Sequence, residues 1–347
     1  MEIGTRRLGD GQPCFIIAEA GSNHNRDFAT ACRLIEVAAA AGADAVKFQI
    51  FSAAKLYSRK TPLPSYLKER QLVRPGETLC DLIARLETPR EWLPELVRAC
   101  QRAGLIFLCT PFDLEAVDEL EAVGVSAYKV ASFEITHLPL LRRIARTGKP
   151  LLLSTGMADL ADIEEALRTW REAGGGEVAL LHCAIAYPAR PENLHLRAID
   201  TLRQAFQVPV GFSDHTMGHE AAVAAVARGA CLLEKHFTLS RAQEGPDHLF
   251  ALEPAELTAL VAAVRATEAA LGSPIKRATP AEAELYRLAR RSLVAACPIP
   301  RGTRLTAEMI AVKRPGYGIP TRFLEMVVGR VASRDIDEDE ILTWEML

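Results

Sequence analysis

Residues 208–248 read VPVGFSDHTMGHEAAVAAVARGACLLEKHFTLSRAQEGPDH. Two short apolar runs, Val208–Phe212 and Cys231–Leu233, each end in a polar cluster that carries a histidine. The first delivers Ser213, Asp214 and His215; the second delivers Glu234, Lys235 and His236. The alanine-rich stretch between them, Glu220–Ala227, favours helix. Strand, helix, strand is the repeat of a parallel α/β fold, and it puts both histidines at the carboxyl ends of adjacent strands. A lone histidine is more simply a hydrogen-bonded structural residue. Two at matching strand ends argue for a shared site, where paired imidazoles suit a divalent metal with carboxylates and water close by.

Outward from that stretch the same alternation continues. The predicted strands are Phe15–Ala20, Ala45–Gln49, Ile106–Thr110, Ala127–Ser132, Pro150–Ser154, Val178–Cys183, Val208–Ser213 and Cys231–His236. Helical stretches such as Ala29–Ala41, Glu91–Ala103 and Leu160–Ala173 separate them, and glycines such as Gly42, Gly104 and Gly148 precede several strands as helix C-caps do. Eight βα units in about 250 residues is the size of a (β/α)8 barrel, whose active groups sit at the carboxyl ends of the strands. The strand ends carry Glu19, Lys47, Thr110, Lys129 with Ser132, Ser154, Cys183, Ser213 with His215, and Glu234 with His236. Lys47 and Lys129 interrupt apolar strands, and a buried ammonium is costly unless an anion meets it. They can pair internally with Glu19 or Glu134. The favoured reading is an anion site built with the Thr110, Ser132, Ser154 and Ser213 hydroxyls, a donor set suited to phosphate plus carboxylate.

The excursion Phe51–Pro89 holds charges and prolines and few apolar residues, and reads as a lid or a surface insertion. Residues 1–271 thus form the barrel. Residues 272–290, opening with GSPIKRATP after Leu271, form a linker with a helix at Ala281–Arg290. Residues 291–347 are short β-type segments broken by Pro and Gly, a unit small enough to have a marginal core of its own.

Composition limits the partners. The chain has 347 residues, 49% hydrophobic and 24% charged, with net charge −3, so nucleic acid is not expected. Residues 1–12 lack the apolar core of a signal peptide and no run of 18 apolar residues follows, so no membrane association is expected. Eight scattered cysteines without a C-x-x-C pair suggest a reducing cytoplasm.

The motifs FIIAEAGSNHN, AGADAVKFQ, FLCTPFD, YKVASFEI, LLSTGMA, GFSDHT and LEKHFTL with GPDH resemble the sialic acid synthase family, and RRSLVAA, KRPGYGI and RDIDEDEILTWE resemble its C-terminal antifreeze-like (SAF) domain. The resemblance spans essentially the whole chain. It implies a TIM barrel followed by a β-rich SAF domain, and condensation of phosphoenolpyruvate with a 2-acetamido aldose. It further implies that His215 and His236 bind a divalent metal (Mn2+ foremost, Mg2+ or Co2+ otherwise). Lys47, Thr110, Lys129, Ser132, Ser154 and Ser213 would hold phosphoenolpyruvate, and Glu19, Tyr187, Glu234 and Asp247 would face the sugar. Arg314 would reach the sugar's acetamido group from the SAF domain of the partner in a homodimer. Glu234 is the candidate for proton transfer. Two positions depart from the family pattern: Ile185 stands where asparagine is usual and Arg26 where glycine is usual. The first resembles the branch of spore-coat polysaccharide proteins and synthases of bacterial sialic-acid analogues.

Overall fold

All eight apolar runs are strands in the computed structural model, which describes residues 1–69 and 72–347. They are β1 (Phe15–Gly21), β2 (Ala45–Ile50), β3 (Ile106–Pro111), β4 (Tyr128–Val130), β5 (Leu151–Ser154), β6 (Val178–Cys183), β7 (Val210–Asp214) and β8 (Leu232–His236). They lie in one parallel sheet in the order β3-β2-β1-β8-β7-β6-β5-β4, so the first and last strands are neighbours. Among the described residues no ladder joins β3 to β4, and the barrel is closed except for that seam. The outer helices are α1 (Phe28–Ala41), α2 (Leu93–Arg102), α3 (Leu114–Ala122), α4 (Leu138–Ala145), α5 (Leu160–Glu172), α6 (Ala198–Phe206), α7 (Glu220–Ala227) and α8 (Pro254–Leu271). Their starts follow the sequence: Asp27, Asp113 and Asp159 accept amide hydrogens of the first turns of α1, α3 and α5. Gly42 closes α1 with a φ of 82°, which a residue without a Cβ adopts freely.

The period of two along each strand sorts the side chains. Ile16, Ala18 and Ala20 of β1 face the helices and join the large core between sheet and helix layer. Phe15 and Ile17 face the barrel axis and meet Ala45, Leu108, Ala127, Leu152, Ala179, Leu181 and Leu232 in a second, interior core. Ile3 and Leu8 of the N-terminal hairpin complete that interior core. The next inward residues along the strands are Glu19, Lys47, Thr110, Lys129, Ser154, Cys183, Ser213 and Glu234. An apolar plug therefore fills the lower barrel and a polar layer sits on it.

Three expectations need correction. β4 ends at Val130, and Ser132 begins a 3-10 turn, Ser132–Glu134, which turns Glu134 inward to a buried position. The excursion after β2 has structure of its own: short helices at Ala53–Leu56, Ser65–Glu69 and Leu79–Ala84, with Leu67, Leu79 and Leu82 packed on Tyr57, Leu63 and Ile83. Its few apolar residues suffice because they converge from the two later helices and the segments that flank them. The helix expected at 281–290 is present but shorter, an α-helix at Ala283–Leu288 preceded by a 3-10 turn at Pro280–Glu282.

The chain divides into two units, Met1–Gly272 and Ser273–Leu347. In the second, β9 (Ser292–Ala295) pairs antiparallel with β10 (Ile310–Lys313). Leu293, Ile299, Leu305, Ile319, Val327, Ile336 and Leu342 form its core. Among the described residues no helix is long and apolar enough to cross a membrane.

Gly211 of β7 shows how closely the strands bearing the histidines approach. A Cβ there would come within 2.3 Å of Leu232 Cγ and 2.4 Å of the Leu232 carbonyl oxygen, which is backbone and cannot rotate away. Gly211→Ala is expected to destabilise the barrel by about 1–3 kcal/mol, read as a lowered midpoint in chemical denaturation. An unchanged midpoint would show that β7 and β8 can part without cost.

Candidate active site

A cavity of about 410 Å3 opens above the polar layer. It brings together twelve of the thirteen residues singled out from sequence. Its floor holds Lys47, Thr110, Lys129, Ser132, Ser154 and Ser213; its sides hold Glu19, Tyr187, His215, Glu234, His236 and Asp247. Arg314 lies in the second unit just after β10, exposed and without an ion-pair partner among the described residues.

The two lysines are buried among carboxylates. Lys47 Nζ lies 2.9 Å from Glu19 Oε2 and 3.6 Å from Glu234 Oε2, and donates to Thr110 Oγ1 at 3.0 Å. Lys129 Nζ lies 3.2 Å from Glu234 Oε1. Internal pairing, the less favoured expectation, is what the structure shows, with Glu234 in place of Glu134 as the second partner. Burial pushes the Glu234 carboxyl up, but Lys129 and Lys47 outweigh it and hold the group well below its ordinary range. Glu19 goes the other way, since burial outweighs the pull of Lys47. Burial lowers Lys129, which has less compensation than Lys47, whose two carboxylates raise it.

The hydroxyls are oriented differently. Ser213 Oγ donates to Glu234 Oε1 at 3.1 Å. Ser132 Oγ accepts the Gly156 amide at 2.9 Å and also reaches the Cys183 thiol. A Cβ at Gly156 would meet Ile185 Cγ1 at 2.6 Å, so Ile185 fills the space a side chain would need. Among the described residues, Glu134 Oε2, Ser154 Oγ and His236 Nδ1 at the cavity and Gln243 Oε1 outside it are buried without a hydrogen bond, while Glu19 Oε2 and Glu234 Oε2 are met by the Lys47 ammonium. Unpaired buried polar atoms are rare in folded proteins. Their concentration around one cavity marks it as built to receive a polar ligand.

The imidazoles of His215 and His236 lie 5.3 Å apart, centroid to centroid. Tyr187 packs edge-on against His215 at 4.7 Å, and Phe250 packs against His236 at 5.0 Å and His215 at 6.1 Å. His215 Nδ1 is 3.3 Å from the Ala184 carbonyl oxygen, which can only accept, so the hydrogen sits on Nδ1 and Nε2 keeps its lone pair. Burial lowers His215 to about 4 and His236 well below its ordinary value, so both rings are neutral at neutral pH, as ligation requires. Neutral rings, an available lone pair on His215 and a His236 Nδ1 that makes no hydrogen bond, with Asp247 Oδ2 3.7 Å away, fit a divalent ion held by two imidazoles.

Sequence reasoning missed three contributors and named a fourth, Cys183, only as a strand end. Gln49 donates to Glu19 Oε1 at 2.6 Å and fixes that carboxylate. Phe250 is the apolar wall behind both histidines. Cys183 Sγ lies 3.6 Å from His215 Nδ1. Glu134, read only as a pairing partner, lines the cavity with its carboxyl raised to about 7 by burial, against the opposing pull of Lys129. The inward alternation of β2 and β6 contained a signal for Gln49 and Cys183. None was available for Glu134, because the 3-10 turn that aims it breaks the period. The Arg26 departure is also explained in part: its φ is 56°, the left-handed region glycine favours, and its guanidinium donates to the Ala84 carbonyl at 2.9 Å.

Comparison with known proteins follows the same outline. Residues 34–276 match the model of the NeuB family, and residues 290–347 match that of the SAF domain. N,N'-diacetyllegionaminic acid synthase of Campylobacter jejuni is 41% identical over 329 residues, covering 94% of this chain and 98% of that protein. Spore coat polysaccharide biosynthesis protein SpsE of Bacillus subtilis is 39% identical over 363 residues, covering 99% and 96%. Among solved structures, an N-acetylneuraminic acid (sialic acid) synthetase from Leptospira borgpetersenii superposes with a TM-score of 0.73 at 33% identity, covering 82% of this chain and 94% of that one.

The raised Glu134 carboxyl ties stability to pH. In the unfolded chain the group loses its proton near 4.5, in the folded chain near 7. Folding therefore favours the protonated form, and its contribution is present below pH 4.5 and lost as pH rises to 7. Glu134→Gln, which is always neutral, should match the wild type in acid and gain about 2–3 kcal/mol over it above pH 7. Thermal melts of the ligand-free protein at pH 4.5 and 8 would show this; a gap that does not widen with pH would contradict it.

Proposed function

The chain belongs to the NeuB family, and we propose that it is a nonulosonic acid synthase that condenses phosphoenolpyruvate with an unphosphorylated 2-acetamido aldose such as N-acetylmannosamine, releasing phosphate. The observation that carries the reading is the division of the cavity. Its floor has two buried lysines and four hydroxyls, while its outer wall is Phe51, Leu56, Tyr57, Ile83, Leu86 and Phe112. The floor suits a small compact polyanion. The wall suits a sugar with apolar substituents.

Lys47 and Lys129 would exchange their carboxylate partners in part for the carboxylate and phosphate of phosphoenolpyruvate, while the Ser132 and Ser154 hydroxyls would donate to it. Fixing the anion on the floor turns a bimolecular encounter into a positioned one. Its C3 carbon would add to C1 of the open-chain sugar, water would add at C2, and phosphate would leave with cleavage of the C–O bond. His215 and His236 would hold the divalent ion, Mn2+ before Mg2+ or Co2+. When bound, that ion supplies Lewis acidity toward the sugar aldehyde. Glu234, kept ionised by the lysines, can accept a proton but is poorly placed to give one. Glu134, which retains its proton up to about pH 7, is the better donor. Glu19, Gln49, Tyr187 and Asp247 would meet the sugar's polar groups.

No third lysine or arginine lines the cavity among the described residues, so a sugar phosphate would find no charge of its own to meet. A second reading, a 2,4-diacetamido-dideoxy sugar leading to a legionaminic or pseudaminic acid, is favoured by Ile185 and the apolar wall. Arg314 would complete the partner subunit's site in a homodimer. Its exposure and lack of an ion pair support that role, as do Phe133, Met157, Met217 and Leu249, large apolar side chains left exposed on the loops that follow the strands.

Phosphate release from phosphoenolpyruvate is the direct test, measured with added Mn2+ and a panel of 2-acetamido and diacetamido aldoses; no release with any sugar would leave a binding protein. Lys47→Met and Lys129→Met should each weaken phosphoenolpyruvate by about 2–5 kcal/mol, since each strands a buried carboxylate. Unchanged kinetics in both would move the anion elsewhere. His215→Ala and His236→Ala should each abolish turnover, and chelation should silence the wild type reversibly. For the partner arm, inactive Glu234→Ala and Arg314→Ala chains are refolded together. Random pairing in a dimer gives about a quarter intact sites if Arg314 acts across the interface, and none if it acts within its own chain.

A further inference from the structure

Asp214 and Lys235 are cross-strand neighbours in the parallel register of β7 and β8. By the alternation of a strand they point away from the cavity, while Ser213, Glu234 and the two histidines point into it. Their side chains are 0% and 1% exposed, with Lys235 Nζ 2.8 Å from Asp214 Oδ2. The proposed reaction uses neither.

The ladder between β7 and β8 stops at this pair, one residue short of the histidines. Beyond it the strands turn to other neighbours. The His215 carbonyl accepts the Ala189 amide at 2.9 Å, and the His236 carbonyl accepts the Leu252 amide at 2.9 Å. What still joins the two segments is the Lys235 side chain. Its ammonium donates to Asp214 Oδ2, to the Thr216 carbonyl at 2.6 Å and to Thr216 Oγ1 at 3.3 Å, which uses all three hydrogens. Asp214 Oδ1 accepts the Thr216 amide at 2.8 Å. One ammonium, carried by the residue before His236, thus grips the chain on both sides of His215.

We infer that Asp214, Lys235 and Thr216 form a clamp of positioning residues that sets the separation of His215 and His236, and with it the affinity of the pair for a divalent cation. The inference rests on the metal-binding reading above. A buried ion pair adds little to stability over a well-packed apolar pair, so stability alone does not account for a lysine that reaches past the last rung to a backbone carbonyl. Groups that orient metal-ligating histidines set affinity strongly, because a ring displaced by a fraction of an ångström loses its bond direction.

The test compares metal-stripped wild type, the double variant Asp214→Asn with Lys235→Met, and His236→Ala. Free Mn2+ is followed by electron paramagnetic resonance during titration, and thermal melting reports the fold. The double variant is expected to melt cooperatively and to bind Mn2+ about 10- to 100-fold more weakly, while its affinity for phosphoenolpyruvate without metal stays at the wild-type value. Wild-type Mn2+ affinity in the folded double variant, with binding lost in His236→Ala, overturns the clamp. Equal affinity in all three proteins overturns the metal reading and the clamp with it. Should the double variant not fold, Asp214→Asn alone carries the test, since it is isosteric and keeps the Thr216 amide bond. It should show a smaller loss of Mn2+ affinity, and an unchanged value overturns the inference.

Discussion

An ammonium group inside a barrel persists only while an anion meets it, and this barrel holds two. Lys47 and Lys129 stand on the apolar plug with Glu19 and Glu234 around them, so the floor carries carboxylates to balance its ammonium groups. That balance constrains everything above it. An incoming polyanion would be repelled if all four carboxyls near the cavity were ionised. Two are not held ionised at neutral pH: burial raises Glu134 and Asp247 to about 7 each. The site can therefore accept negative charge by keeping protons rather than by moving side chains. The same desolvation keeps His215 and His236 neutral. One physical cause, exclusion of water from the barrel mouth, thus tunes both the anion floor and the histidine pair.

Much of this was legible in the chain because a barrel strand writes its inward face at every second residue. Phe15, Ile17 and Glu19, or Ala127 and Lys129, read directly as plug and then site. Helix Glu220–Ala227 is found where it was expected, since alanine propensity and the flanking strands agree. What was not legible depends on distance across the barrel. Lys129 meets Glu234 because β4 and β8 face one another over the axis, and no local pattern says which strand ends face each other. Glu134 escaped because the 3-10 turn that aims it follows no strand period. The excursion after β2 looked coreless because its apolar residues are sparse along the sequence, although Leu67, Leu79 and Leu82 converge in space.

The cavity's two halves come from different parts of the chain, and this separates what the protein does from what it does it to. Every floor residue sits in a barrel strand or, for Ser132, just beyond one, where the strand ladders fix its position. Most of the apolar wall, Leu56, Tyr57, Ile83 and Leu86, is supplied by the excursion, whose own small core lets it change without disturbing the barrel. Strand ends can tolerate almost no substitution, since a shifted lysine would leave a buried carboxylate alone. A loop with an independent core can be rebuilt at little cost to the fold. The floor thus belongs to the strands, and most of the apolar wall to the excursion. Chains that share the first can differ in the second while remaining alike along most of their length.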